Sequence, residues 1–410
     1  MHKKLLIIGF VWPEPNATAA GGRMLQLIHF FLEKRYAITF ASTATDNINT
    51  IDFNALGIKK EGIQLNHVSF DAFIKELNPS HVLFDRFLTE EQFGWRVAKH
   101  APNAIRILDT EDLHSLRAAR EDCHKATVPF TLDHWIRHVV TKREIASIYR
   151  SDVSLIISSY EMDILKNVLR VPTTILHHLP FQLDKIETTK NGLSFEERTH
   201  FICIGTGKHS PNVDAFLWLK KDIWPRIHKE LPKAKLHIYG SYLPQQITDL
   251  HNPAEGFYVL GRTADVEEVM GQARINLAPL RFGAGIKGKL ADALVAGTPS
   301  VTTDIGAEGM HQNLPWNGAI ENTVEGFAQA AVHLYQNQEK WQEAQENGVA
   351  IINQLYDKTV LNEGLSTKLK ELEQNLEAHR TKNFTGAMLL HHSMASTEYM
   401  SRWIAEKNKG

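Results

Sequence analysis

Ala278-Pro-Leu-Arg-Phe-Gly-Ala-Gly-Ile-Lys-Gly-Lys289 is the stretch on which the reading of this chain turns. The apolar residues 275–278 predict a strand, and the periodic residues 287–296 predict a helix, so the stretch is a strand-to-helix turn. Such a turn exposes free backbone N–H groups. Gly283, Gly285 and Gly288 let an anion approach that backbone closely, the helix start at Ile286 adds a partial positive charge, and Arg281 and Lys287 add full charges. This is chemistry for a diphosphate. Residues 278–289 contain no acid, whereas a Mg²⁺ or Mn²⁺ ion bridging a diphosphate wants one or two carboxylates beside it. No metal and no resident cofactor are therefore expected.

The same loop spells Gly283-x-Gly285-x-x-Gly288, with Asp304 following on a strand end, and so formally satisfies the dinucleotide fingerprint. That fingerprint belongs to the first strand-helix turn of its domain. Here at least three predicted strands of the same series come first, which makes a nicotinamide oxidoreductase the lesser reading.

Outward from the loop, short Val- and Ile-rich runs alternate with helix-length periodic segments, the pattern of parallel sheets wrapped by helices. Strands are predicted at 5–10, 37–42, 81–84, 104–108 and 154–157, then at 201–205, 235–239, 257–260, 275–278 and 300–303. Helices are predicted at 24–34, 90–100 and 132–150 in the first series, and at 214–221, 265–273 and 287–296 in the second. The polar, aperiodic segment around 184–193 separates the two series. The expected organisation is a first domain over 1–183, a linker over 184–198, a second domain over 199–355 and a helical tail over 356–410, packing back on the first domain. Residues 5–12, after Lys3 and Lys4, imitate a short signal peptide. Pro13-Glu-Pro15 directly after them puts a charge and two helix breakers in the way, and a buried first strand is the preferred reading.

Composition narrows the function. The 410 residues are 43% hydrophobic and 22% charged, a globular balance. Lys and Arg number 45 against 47 acids, for a net charge of -2, and no basic run tracks a phosphate backbone, so nucleic acid is not expected as a partner. No uninterrupted apolar run is long enough to span a bilayer, although peripheral membrane contact stays open. Cys123 and Cys203 are too far apart for a thiolate metal site of ordinary spacing, and a reducing, cytoplasmic compartment fits them. Asn383-Phe-Thr385 matches the glycosylation sequon, which such a compartment leaves unmodified. His-Glu-x-x-His, Gly-x-Ser-x-Gly and Walker signatures are missing. The pairs His177-His178 and His391-His392 point their rings apart and make poor metal sites.

Several ordered motifs share one resemblance. Phe201-Ile-Cys-Ile-Gly205, His209-Ser-Pro-Asn-Val-Asp-Ala215, Gly261-Arg262, the loop 278–287 and Ala296-Gly-Thr-Pro-Ser-Val-Thr-Thr-Asp-Ile-Gly-Ala-Glu-Gly309 resemble the donor half of GT-B glycosyltransferases of the group 1 or family 4 type. The resemblance covers about 200–350. It implies an α/β fold of GT-B architecture, two Rossmann-like domains with parallel sheets facing a cleft, plus C-terminal helices. It also implies glycosyl transfer from a nucleotide-diphosphate sugar with retention of configuration.

More loosely, Ala20-Gly-Gly-Arg23 is similar to the family's glycine turn near the donor, and Asp109-Thr-Glu-Asp-Leu-His-Ser-Leu-Arg117 to the segment that sets a His or Asp beside the transferred sugar. The resemblance thus assigns Gly21, Gly22, Arg23, Gly205, Lys208, Arg262, Gly283, Gly285, Ile286 and Asp292 to donor binding. His114, Asp112, Arg281 and Lys287 are the catalytic candidates. On the residues alone, His114 is equally a hydrogen-bonded loop histidine, and Glu111 and Asp112 are equally helix N-terminal acids. One departure matters. The family's Glu-x7-Glu pair falls here on Ala284 and Asp292, so the first acid is missing and the second is shorter. A degenerate GT-B protein that binds nucleotide sugar or scaffolds without turnover is the rival reading. The donor sugar, the acceptor (glycan, lipid, protein or small molecule) and the oligomeric state are not legible.

Overall fold

The computed structural model describes residues 3–187 and 192–407, and the side chains of all these except 392–395. The middle of the expected linker, the side chains of His392 and Met394, and Lys409 lie outside the described residues.

Among the described residues, thirteen strands form two sheets, and neighbouring strands pair in parallel. The first sheet contains β1 (Lys4–Gly9), β2 (Ala37–Ser42), β3 (Lys59–Gly62), β4 (His81–Asp85), β5 (Ile105–Asp109), β6 (Val153–Ile156) and β7 (Leu176–His178), in the order β3-β2-β1-β4-β5-β6-β7. The second contains β8 (His200–Ile204), β9 (Leu236–Tyr239), β10 (Phe257–Gly261), β11 (Ala273–Ala278), β12 (Ser300–Thr302) and β13 (Gly318–Ile320), in the order β10-β9-β8-β11-β12-β13. Each is a doubly wound sheet, and together they make the two Rossmann-like domains of a GT-B chain. The 5–10 run becomes β1, a central strand, because Leu5, Leu6, Ile7 and Ile8 need cover on both faces.

Side chains alternate across the first sheet. Leu6, Ile8, Val82, Phe84 and Leu108 pack on one face with Phe93, Leu116 and Trp135, and Leu5, Ile7, Leu83 and Ile107 on the other with Leu27, Ile28 and Phe31. The tail completes that second face. Leu365, Leu369 and Leu372 of the helix Lys358–Lys382 enter the first-domain core, where each buried leucine is worth about 2 kcal/mol. Arg380 of the same helix grips Asp152 at 2.7 Å. The last helix, Phe384–Lys407, lies against Arg86–His100 and Val139–Arg150, with Ser401 accepting from Arg96 at 3.1 Å. The chain crosses between domains twice, side by side. The Leu183 N–H donates to Tyr356 O, and the Lys358 N–H to Leu183 O, both at 2.9 Å.

Three strands were not predicted, and all are edges: β3, β7 and β13. The predicted helix 132–150 is broken at His138, whose extended backbone ends Leu132–Arg137 and starts Val139–Arg150. Ala20 to Arg23, read as a glycine turn, lie inside the helix Ala19–Glu33, because Thr18 caps it by accepting from the Gly21 N–H at 3.0 Å.

Candidate active site

The loop between β11 and the helix Gly288–Val295 is buried under the first domain. Phe282 to Gly288 are all buried, and a Cβ on Gly285 would stand 2.7 Å from Asp112 Cβ, with φ at +64°. A Cβ on Gly288 would meet Ala19 Cβ at 2.4 Å. These glycines are therefore required where the two domains touch. Ile286 packs in one apolar cluster with Ile157 and Phe181, and Lys287 is 8% exposed. The Lys287 ammonium donates to Gly285 O at 2.8 Å, and burial pushes it down to about 8.

The first domain answers with charged groups. Arg120 donates to Gly283 O at 2.8 Å and makes a two-pronged pair with Glu308, both bonds 2.7 Å, so it clamps the glycine loop from across the cleft. Glu161 Oε1 accepts the N–H of Leu113 at 2.9 Å and that of Gly285 at 2.8 Å, while Oε2 is buried with no hydrogen-bond partner. Burial pushes the Glu161 carboxyl up to about 8, and the Asp112 charge adds to the rise. His114 and Asp112 stand together at the start of the helix His114–Lys125, with Nε2 to Oδ1 at 3.2 Å. Burial pushes His114 down to about 4 against the pull of Asp112, so the imidazole is neutral at pH 7. Burial works against a charge on Asp112 as well, yet Arg117, bonded at 2.7 Å, and His114 hold its carboxyl well below the usual range. Glu144 accepts from the N–H groups of His114 at 2.9 Å and Ser115 at 3.0 Å and fixes that helix start.

The cleft thus gathers Asp112, His114, Gly283, Gly285, Ile286 and Lys287. Other expected residues lie elsewhere. Arg23 is turned into the first-domain core, where it pairs with Asp109 at 2.7 Å and donates to Leu179 O, so its guanidinium is spent on structure. Arg281 is bound by Asp214 at 2.5 Å and lies over the Trp218 ring, whereas the charges around Lys287 are Glu308, Arg120, Glu161 and Asp112. The two loop cations do not converge. The Lys208 ammonium sits 3.5 Å from the ring centre of Tyr242, whose hydroxyl donates across the cleft to Glu14 at 2.9 Å. Gly205 ends the β8 side of a close backbone approach, since a Cβ on Gly240 would meet its carbonyl at 2.1 Å. Gly21 packs on the Glu14 backbone, and Gly22 faces open space. Arg262, after β10, and Asp292, on the helix Gly288–Val295, are exposed.

Arg120, Arg117, Glu161 and Glu308 were not anticipated. Glu308 and Arg117 carried a signal, since they lie within the quoted motifs 296–309 and 109–117, whereas Arg120 and Glu161 carried none. Among the described residues, no group of three or more His, Cys, Asp or Glu side chains could hold a metal ion, and Asp109 is paired with Arg23 while Asp112 is paired with Arg117. The Gly283-x-Gly285-x-x-Gly288 turn follows β11, not the first strand β8, which removes the positional basis of the dinucleotide reading.

Residues 198–337 match the family model described as glycosyl transferases group 1. An uncharacterized 44.6 kDa protein in the cps region of Klebsiella pneumoniae is 25% identical over 223 residues, 53% of this chain and 55% of that protein. The chain thus spans about half the length of the curated relative it matches. Sucrose-phosphate synthase from Thermosynechococcus elongatus superposes with a TM-score of 0.68 at 13% identity, covering 90% of this chain and 99% of that one. HepE from Anabaena, solved with UDP and glucose, gives 0.65 at 14% identity, with 90% and 100% covered. WaaG, a glycosyltransferase involved in lipopolysaccharide biosynthesis, gives 0.61 at 13%, with 88% and 97% covered. The second domain thus matches glycosyl transferases group 1, and the chain as a whole shares the fold of GT-B glycosyltransferases.

Proposed function

We propose that the chain moves a glycosyl group from a nucleoside-diphosphate sugar to an acceptor hydroxyl, with retention of configuration and without a divalent cation. The observation that carries this reading is the buried Lys287 in a glycine loop pressed against Asp112 of the opposite domain, which in turn pairs with His114. The acceptor oxygen would bond to the anomeric carbon as the bond from that carbon to the diphosphate breaks. The acceptor proton passes to the departing diphosphate, and nucleoside diphosphate leaves. Lys287 and the loop N–H groups stabilise the negative charge that grows on the leaving group. Neutral His114 hydrogen-bonds beside the transferred sugar without adding a cation. Cognate structures bound to UDP, such as HepE, support a nucleotide donor. A cytoplasmic site belongs to the same reading, and among the described residues no helix is long and apolar enough to cross a membrane.

One observation favours the rival reading of a binder without turnover. The Gly285 N–H, an anion-binding donor in the proposal, is already taken by Glu161. A donor panel read by thermal shift, followed by hydrolysis of the best donor in excess EDTA, separates the readings. Stabilisation with turnover in EDTA supports the proposal, stabilisation without turnover supports the binder, and turnover rescued only by Mn²⁺ overturns the metal-independent mechanism.

A further inference from the structure

The first sheet has its own crevice. Its strand order reverses between β1 and β4, and ligands of such sheets bind outside the carboxyl ends at that point. A recess of about 20 Å³ lies there, room for one water or one hydroxyl group. Trp12 and Glu14 after β1, Gly21, Asp85 and Arg86 at the end of β4, and Glu111 after β5 line it. Arg86 and Glu111 both have left-handed backbone, φ +70° and +62°, a conformation that costs a non-glycine residue about 1–2 kcal/mol. Two such residues lining one recess mark a built feature.

Asp85 supplies an independent sign. Its side chain is 6% exposed, and Oδ2 accepts the Phe10 N–H at 3.0 Å, but Oδ1 has no hydrogen-bond partner. The nearest cation, Arg86 Nε, is 3.6 Å away, beyond hydrogen-bond reach. Asp85 lines the recess, and its buried Oδ1 keeps acceptor capacity that a hydroxyl donor would satisfy. Burial raises both Asp85 and Glu111, which lets a carboxyl there donate as well as accept. The one guanidinium in the lining, Arg86, already faces Asp85, so a phosphate or carboxylate finds no free cation there.

The recess adjoins the glycine loop on two sides. Glu111 precedes Asp112, which touches Gly285, and Ala20 follows Ala19, which touches Gly288. We propose that this recess receives one hydroxyl of the acceptor, and that the acceptor is an uncharged polyhydroxy compound of the sugar type, held by Asp85 and Glu111. The inference rests on the glycosyl-transfer reading, but its test is separate.

The full chain is titrated with methyl α-glucopyranoside and with glucose 6-phosphate, followed by ligand-observed NMR, in the wild type and in Asp85→Asn and Glu111→Gln. Nucleoside diphosphate is titrated in parallel to report on the glycine loop. The neutral glycoside should bind more tightly than the phosphate, and each substitution should weaken it about tenfold, the loss of one hydrogen bond to a buried carboxyl group. Tighter binding of the phosphate, no binding of the glycoside, or glycoside binding untouched by both substitutions overturns the proposal. Normal glycoside behaviour with no nucleotide binding instead removes the donor reading and leaves the recess standing.

Discussion

The two domains repeat one plan, a parallel sheet whose strand order turns once, and they line the turning point with opposite chemistry. At the second sheet, between β8 and β11, the crevice offers glycine N–H groups and the buried cation Lys287. At the first, between β1 and β4, it offers the carboxyl groups of Asp85 and Glu111. Topology places a crevice, and the residues that happen to end each strand decide what it can hold. Amides with a cation suit a diphosphate, whereas carboxyls suit hydroxyl groups.

That contrast depends on the domains meeting as described, and the largest expected effect tests the contact. Arg120→Ala strands Glu308 and frees Gly283 O. Breaking a buried pair from one side costs about 3 kcal/mol, so a large fall in the melting temperature is expected by calorimetry. A melting curve like that of the wild type would mean that the glycine loop and the first domain do not close in solution.

Next comes Gly285→Ala, which adds a Cβ 2.7 Å from that of Asp112 at a φ of +64°. Strain of this kind costs about 1–2 kcal/mol, and donor turnover should drop by more than stability does, because the loop must shift away from Asp112. Steady-state kinetics beside a melting curve separates the two quantities.

A smaller effect follows pH. Glu161 and Glu144 are raised by burial to about 8 and about 7, so each holds its proton when folded at pH values where the unfolded chain has lost it. Their contribution is fully present below the unfolded value near 4.5 and is lost as pH rises through 7 to 8. His114 and His209, depressed to about 4, act oppositely, since stability rises with pH between about 4 and 6.5 and is flat above. Denaturant unfolding between pH 6.5 and 8.5 should therefore show a decline that Glu161→Gln makes shallower. An equal decline in the variant would place the titration elsewhere.

The smallest effect sharpens the difference between the two loop cations. Arg281 is partly exposed and engaged by Asp214, so Arg281→Ala should change stability by about 0.5 kcal/mol or less, after solvent screening, and turnover only modestly. A hundredfold loss of turnover would return Arg281 to the diphosphate site.

The sequence disclosed these regions unequally. The glycine loop was legible because it is contiguous, and its strand and helix signals flank it directly. Central strands such as β1 announced themselves by needing apolar cover on both faces. The edge strands did not, since Lys59-Lys-Glu-Gly62 pairs on one side only and carries charge toward solvent. The acceptor-side recess was invisible because Glu14, Asp85 and Glu111 come from three distant segments. Arg120 carried no signal, because its partners Gly283 and Glu308 lie 163 and 188 positions away. The partners of Arg23 and Arg281 were hidden for a related reason. A loop or helix cation advertises its charge but not its partner, and Asp109 and Asp214 lie 86 and 67 positions away.

The claim at the centre of this account is that the glycine loop and the buried Lys287 hold the donor diphosphate, and calorimetric titration of nucleoside diphosphate into the wild type and Lys287→Ala tests it most directly. Lys287 leaves no carboxylate stranded when removed, because Glu308 keeps Arg120 and Glu161 keeps its two N–H donors. The melting curve should therefore survive, while affinity falls about a hundredfold, as expected when one charge-stabilising donor is lost from such a site. Equal affinity in the two proteins, with the fold intact in both, would contradict the account.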